Sequence, residues 1–206
     1  MTTVFIDIDT QLDFLFPAGA LYVPQAERIL PAIARLNHFA AAHSIPLIST
    51  VDAHTENDTE FAQWPHHCVA GATGQHKPEA TLLARRITIP SGTGLQAGCP
   101  SEGGISVEGF HQIIVEKQSV DALQAPNFIR VLDQLGAGRY VLYGVVTEIC
   151  VLHAARGLLQ RGHAVELVAD AIEALTPEGS RRAIEEMVAR GGRISSVEAI
   201  TGGHGR

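Results

Sequence analysis

A doubly wound α/β fold, a single domain over residues 1–206 with a mostly parallel sheet and helices on both faces, is what the chain predicts. Three observations point there. Short β-branched apolar runs recur along the sequence, helical periodicities separate the later ones, and a chain of 206 residues with 46% hydrophobic and 18% charged residues suits one buried core.

Residues 4–8 read as the first strand, a short apolar, β-branched run of the kind that a parallel strand covered on both faces needs. Ile29, Ile33, Leu36 and Ala40 then recur by three and four, the spacing of a helix with one buried face. Residues 45–51 repeat the strand signature. Residues 52–77 are rich in His, Asp, Glu and Gly with little periodicity, and an insertion of that length in a compact domain is usually functional. Residues 91–104 carry five glycines, but Gly92-Thr93-Gly94 lacks the third glycine of a phosphate cradle, so a surface loop or hairpin is expected. Strands follow at 113–116, 140–146 and 164–169, making five, with helices at 127–135, 148–160 and 178–190. The last helix is entered by Thr176-Pro177, a cap and a first-turn proline, and left by Gly191-Gly192. The tail, residues 202–206, is expected to fray. Right-handed crossovers make such a sheet parallel, and its ligands bind beyond the carboxyl ends of the strands.

Charge and composition remove several classes of function. Fifteen basic against 22 acidic residues leave −7, the wrong sign for affinity to nucleic acid or to an anionic membrane. Residues 1–9 have no basic region before an apolar run broken by Asp7 and Asp9, so no secretory signal is read there, and a cytoplasmic protein is expected. The apolar stretch at 140–159 contains Glu148, His153 and Arg156, and suits a buried strand turning into a helix better than a membrane span. Cys68, Cys99 and Cys150 are odd in number and form no CxxC, against both a disulfide framework and a thiolate zinc site.

In a parallel sheet the residues just beyond the strands gather at one edge: Asp13, Asp52, His54, Lys117 and Cys150. Each alone has a plain reading as a turn residue, a solvated charge or a small core side chain. Together they offer chemistry. With Thr147 as a helix cap, Cys150 is the third helical residue, where free N–H groups and the positive end of the helix dipole favour a thiolate. Lys117 would add its charge, the free N–H groups would receive a carbonyl oxygen becoming an oxyanion, and Asp13 would carry the proton, so that nucleophile, charge stabiliser and proton shuttle serve one acyl transfer. Asp52 and His54, two apart in extended backbone, face the same way, and the 64–68 stretch (Trp-Pro-His-His-Cys) offers one further His. One Asp with two His suits zinc, iron or manganese rather than calcium. A chance cluster in a chain with ten histidines accounts for the triplet equally well.

The stretches VFIDIDTQLDF (4–14), DAHTENDTEF (52–61), WPHHCVAGATG (64–74) and GVVTEICV (144–151), with Lys117 at a strand end, resemble the isochorismatase-like cysteine hydrolases, and within them the nicotinamidases. The similarity runs in order through nearly the whole chain except residues 91–104. The resemblance implies a triad of Asp13, Lys117 and Cys150, an oxyanion hole at Val146, Thr147 and Cys150 with a cis peptide between Val146 and Thr147, and metal ligands at Asp52, His54 and His67. It places Asp58 where the family usually has another His, and Phe14 and Trp64 where aromatic side chains flank the substrate ring. It further implies a bound divalent ion, zinc first with iron or manganese as alternatives, and a homo-oligomer.

The activity expected is hydrolysis of a small carboxamide through a thioester, nicotinamide to nicotinate and ammonia being the preferred case. The alternatives are a related cysteine hydrolase acting on a carbamoyl or ureido amide without metal, and a non-catalytic ligand-binding module on the same scaffold. A dinucleotide oxidoreductase is disfavoured, because the first strand runs into Asp9-Thr10-Gln11 instead of a glycine turn.

Overall fold

The computed structural model describes residues 2–91 and 107–202, and the outcome for 92–104 and for 203–206 lies outside the described residues. In chain order the elements are β1 (Thr3–Ile8), α1 (Leu12–Leu15), α2 (Leu30–Ala42), β2 (Leu47–Asp52), β3 (Arg86–Ile89), β4 (Gln112–Lys117), α3 (Pro126–Leu135), β5 (Arg139–Gly144), α4 (Leu152–Gln160), β6 (Ala164–Ile172), α5 (Pro177–Ala189), β7 (Arg193–Ser195) and α6 (Val197–Gly202). The seven strands make one sheet in the order β3-β4-β2-β1-β5-β6-β7, and every neighbouring pair is parallel. The expectation of a mostly parallel, doubly wound sheet holds.

Alternation along β1 explains why apolar residues occupy both of its faces. Val4, Ile6 and Ile8 pack on one face with Phe128, Val131 and Leu132 of α3 and Ala154, Ala155 and Leu158 of α4. Phe5 packs on the other face with Ile33, Leu36 and Ala40 of α2 and Ile200 of α6. Both faces are dry, so both parities are apolar apart from Asp7, whose buried carboxylate is met by Lys77 Nζ at 3.0 Å and accepts from the Thr10 hydroxyl at 2.7 Å. Thr176 caps α5 as expected, its hydroxyl oxygen accepting from the Gly179 N–H at 2.9 Å, with Pro177 in the first turn. Among the described residues no helix is long and apolar enough to cross a membrane.

Two strands escape the sequence signature. β3 alternates between exposed Arg86 and Thr88 and the more buried Ile87 and Ile89, and β7 is three residues at the opposite edge. Edge strands are covered on fewer sides, so they lack the apolar run that marks the central ones. The expected strand at 140–146 also ends early. Val145 and Val146 leave it through a cis peptide bond. This corrects the expected cis position, Val146-Thr147, by one residue. Just before it, Gly144 adopts φ +118°, and a Cβ there would lie 2.1 Å from the Ile8 carbonyl oxygen, so only glycine lets β5 approach β1 so closely.

The chain begins in the middle of the sheet at β1, builds one half through β2, and crosses to the other half at β5. The carboxyl ends of β1, β2, β4 and β5 therefore surround the point where the winding reverses, the usual crevice of such sheets.

Candidate active site

Register is the first device that assembles the site. β2 and β4 pair with Asp52 opposite Lys117, each the last residue of its strand, so their side chains leave the sheet edge together. Lys117 Nζ forms a close ion pair with Asp52 Oδ1 and lies 2.9 Å from Asp9 Oδ2. Lys117 is 1% exposed. Burial alone would lower its pKa, but the Asp52 and Asp9 carboxylates raise it well above the usual lysine range, so the ammonium persists in a dry setting.

Asp9 directly follows β1 and takes φ +51°, a left-handed conformation that Asp tolerates better than most residues. Its Oδ1 accepts from the Thr50 hydroxyl at 2.6 Å and its backbone N–H donates to the Thr50 carbonyl at 3.1 Å. Burial raises the Asp9 carboxyl, with Lys117 opposing and Asp52 adding to the rise.

Cys150 lies at 6% exposure in a π-helical turn, Thr147–Val151, that leads into α4. The Asp9 carboxyl and the Lys117 ammonium both act on its thiol from nearby. The expected depressed thiol is not what the structure holds. Burial pushes Cys150 well above the usual thiol range, Lys117 pulls it down, and the Asp9 and Asp52 carboxylates push it up again. A neutral thiol is the resting form, and ionising it requires a base at hand. Thr147 is not the expected cap either, because Val146 occupies that position with no side-chain cap bond. Thr147 uses its N–H (2.9 Å) and its hydroxyl (2.8 Å) on the Glu173 carbonyl oxygen. That engagement takes Thr147 out of the expected oxyanion hole and leaves Val146 and Cys150 of the three.

Asp13 is the main correction. It lies in α1, one turn further along the chain than Asp9, and its two carboxylate oxygens accept from the N–H groups of Cys68 (2.7 Å) and Ala20 (2.9 Å). No hydrogen bond or ion pair among the described residues joins it to Lys117 or Cys150. The group that meets both is Asp9. Its signal in the sequence was the place itself, a carboxylate directly at the carboxyl end of the central strand, whereas residue 13 is already a helical turn past it.

Asp52, His54 and His67 converge as expected, with their ligand atoms all within 4.8 Å of one another. Two local devices aim them. The Gln11 side chain acts as a strand partner for Asp52, accepting from its N–H at 2.7 Å and donating to its carbonyl at 2.8 Å. The backbone of His54 bridges the 67–70 loop, its N–H donating to the Cys68 carbonyl at 3.1 Å and its carbonyl accepting from the Ala70 N–H at 2.9 Å. Each imidazole is tied through Nδ1, His54 to Asp58 Oδ2 at 3.0 Å and His67 to the Pro65 carbonyl at 2.7 Å. Each then presents Nε2 at 3.9 Å from Asp52 Oδ2. The His54 Nε2 is buried with no hydrogen-bond partner.

A buried imidazole with one nitrogen fixed and the other orphaned beside a carboxylate is the arrangement in which histidine ligates a metal, and the Asp-His-His donor set fits a borderline divalent ion. Asp58 does not join the ligands. Its second oxygen accepts from the Glu60 N–H at 2.9 Å as cap of the 3₁₀ turn Thr59–Ala62, so it holds His54 from behind. Burial opposes protonation of His54, but Asp52, Asp58 and Glu60 raise its pKa to about 9. Burial lowers that of His67.

One cavity, about 330 Å³ including its open mouth, touches both halves of the site. Cys150 and Val146 line it on one side, Asp52 and His67 on another, and Phe14 and Trp64 supply the expected aromatic walls. Glu60 is a lining residue that sequence reasoning missed, a half-buried carboxylate whose pKa is raised by burial and by Asp52. Only the chain path around the 3₁₀ turn shows that residue 60, and not 58, faces the cavity.

Comparison with known proteins sets this geometry in a family. The isochorismatase domain model matches residues 3–85 and 106–199. A pyrazinamidase of Pyrococcus horikoshii, solved in complex with zinc, is 26% identical with a TM-score of 0.75 over 95% of this chain and 99% of that one. A pyrazinamidase/nicotinamidase from Streptococcus mutans (23% identical, TM-score 0.77, 94% of this chain and 100% of that one) shares the fold. So does an N-carbamoylsarcosine amidase from Thermoplasma acidophilum (20% identical, TM-score 0.73, 96% of this chain and 98% of that one). The search of curated proteins returned no match. With its family model matched from the first strand to the last helix, the chain belongs to the isochorismatase family and is an isochorismatase-like hydrolase.

Proposed function

We propose that the chain is an amidohydrolase of the nicotinamidase branch that cleaves a small, planar, uncharged carboxamide, nicotinamide in the first place, through a thioester on Cys150. The observation that carries this reading is the buried pair of Asp9 and Lys117 acting on Cys150, whose turn lines a cavity that Asp52 and His67 of the Asp52, His54, His67 group also line.

Asp9 takes the proton from Cys150 Sγ, and the Lys117 ammonium steadies the thiolate that results. Burial raises the Asp9 carboxyl, which makes it a stronger base than an exposed carboxylate, and the Lys117 ammonium offsets the charge that the transfer leaves on sulfur. The thiolate attacks the amide carbon, and the backbone at Val146 and Cys150 receives the developing oxyanion. Asp9 returns its proton to the amide nitrogen, and ammonia leaves as the C–N bond breaks. Asp9 then draws a proton from water, whose oxygen attacks the thioester, and the acid departs as the thiol reforms. Asp52, His54 and His67 would hold the divalent ion, zinc by analogy with the Pyrococcus pyrazinamidase, and when bound it supplies a Lewis-acid docking point for a ring nitrogen. Phe14 and Trp64 line the cavity and offer the ring apolar contact.

Among the described lining residues there is no Arg or Lys to receive a substrate carboxylate, and Glu60 and Asp52 would repel one. This favours a neutral amide over an N-carbamoyl amino acid. The test is ammonia release from nicotinamide, pyrazinamide, benzamide and N-carbamoyl amino acids, wild type beside Cys150→Ala. Release from the aromatic amides in the wild type alone is expected. Equal release by both proteins, or release only from the carbamoyl acids, overturns the reading.

A further inference from the structure

Asp13 stands apart from the reacting groups, yet its surroundings are built around it. Its Oδ2 accepts from the Cys68 N–H at 2.7 Å, its Oδ1 from the Ala20 N–H at 2.9 Å, and its backbone carbonyl from the Leu21 N–H at 3.2 Å. Two glycines make its seat. A Cβ on Gly74 would lie 2.0 Å from the Asp13 carboxylate, and one on Gly19 2.2 Å from its backbone oxygen. Cys68 sits at φ +44°, a left-handed conformation that costs a non-glycine residue about 1 kcal/mol or more and persists only where the surroundings enforce it.

The three segments tied by this one side chain each end on a cavity wall. Phe14 follows Asp13, Leu21 follows Ala20, and His67 precedes Cys68, and all three line the cavity that holds Cys150. The Phe14 and His67 rings are 5.4 Å apart.

We infer that Asp13 is a positioning residue: by gripping the Cys68 and Ala20 N–H groups at once, its carboxylate holds His67, Phe14 and Leu21 in the single arrangement that faces metal and substrate. It acts on that side of the cavity and leaves the thiol side to Asp9 and Lys117. The inference rests on the proposed function only in taking His67 as a metal ligand and the cavity as the substrate's. Two acceptor oxygens are needed because both partners are donors. Asparagine has nearly the same shape but must turn an NH₂ toward one of the two N–H groups.

The experiment compares wild type with Asp13→Asn in the full chain, loaded with Co²⁺, whose visible absorption reports ligand geometry. The variant is expected to bind Co²⁺ about tenfold more weakly or worse, in line with the loss of outer-shell supports, and to show an altered cobalt spectrum. KM for the hydrolysed amide rises while kcat changes little, and Cys150 is alkylated by iodoacetamide at the wild-type rate. A folded variant with unchanged cobalt affinity and spectrum overturns the inference, as does one whose alkylation rate changes as much as its metal affinity. A wild type that binds no Co²⁺ overturns the metal reading itself and the inference with it. If Asp13→Asn does not fold, hydrogen exchange at the Cys68 amide of the wild type decides: slower exchange on cobalt loading supports the coupling, and identical exchange with and without cobalt overturns it.

Discussion

Lys117 and Asp9 form a buried ion pair, Nζ to Oδ2 at 2.9 Å, with each side chain 1% exposed. In so dry a place neither charge would persist alone. Burial and the Asp52 carboxylate raise the Asp9 carboxyl, which the Lys117 ammonium opposes, while Asp52 and Asp9 together hold the Lys117 ammonium charged against burial. The same pair sits against the Cys150 thiol, so a proton arriving on Asp9 and a negative charge appearing on sulfur are compensated by one ammonium.

Asp9→Asn is expected to keep the fold and to lower kcat/KM for amide hydrolysis by about 10² to 10⁴, the range of a lost proton-transfer group. Far-ultraviolet circular dichroism and ammonia release on the same sample check this. An Asp9→Asn enzyme near wild-type rate would transfer the proton role elsewhere.

Removing the ammonium should be costly to the fold as well as to the reaction. Lys117→Met leaves Asp9 and Asp52 buried side by side without a counter-charge, and breaking a buried pair in this way destabilises by about 3–5 kcal/mol. Urea denaturation at neutral pH measures it, and the loss should shrink at acidic pH, where the two carboxyls are protonated.

Metal affinity should depend on pH through His54. In the metal-free chain its pKa stands near 9, so at neutral pH the imidazole carries a proton that a metal must displace. Raising the pH removes the competitor. Affinity is therefore expected to climb by about tenfold per pH unit and to flatten above pH ~9, with close to one proton released per ion bound at neutral pH. His67, whose pKa is lowered by burial, contributes no such step. Calorimetric titration with Co²⁺ or Zn²⁺ in two buffers of different ionisation enthalpy counts the protons, and an affinity flat from pH 6 to 9 would contradict the prediction.

Glu148 ties the nucleophile's turn to the entrance of α5, its Oε1 accepting from the Leu175 N–H at 3.1 Å and the Thr176 N–H at 3.2 Å. Leu175 lines the substrate cavity. Glu148→Ala leaves two N–H groups without their acceptor and should cost about 1–3 kcal/mol of stability. It should also raise KM more than it lowers kcat. Glu148→Gln keeps one acceptor oxygen and should recover most of the stability in a denaturation series.

Much of this protein can be read from the amino-acid order because local chemistry decides it. The central strands declare themselves as apolar runs, since both faces of β1, β2, β4 and β5 are covered, and Thr176-Pro177 marks the start of α5 with a cap and a fixed φ. Asp52, His54, Lys117 and Cys150 were legible as residues just beyond the strands of a parallel sheet, and His67 through the family resemblance. What the order of residues left open was decided across the sheet edge. Whether position 9 or 13 meets Lys117 depends on how far the chain turns after β1, whether 58 or 60 faces the cavity depends on one 3₁₀ turn, and whether Cys150 is an acidic or a reluctant thiol depends on how much water its neighbours exclude. Those are matters of distance and burial between segments remote in sequence, which no local pattern encodes and which packing alone settles.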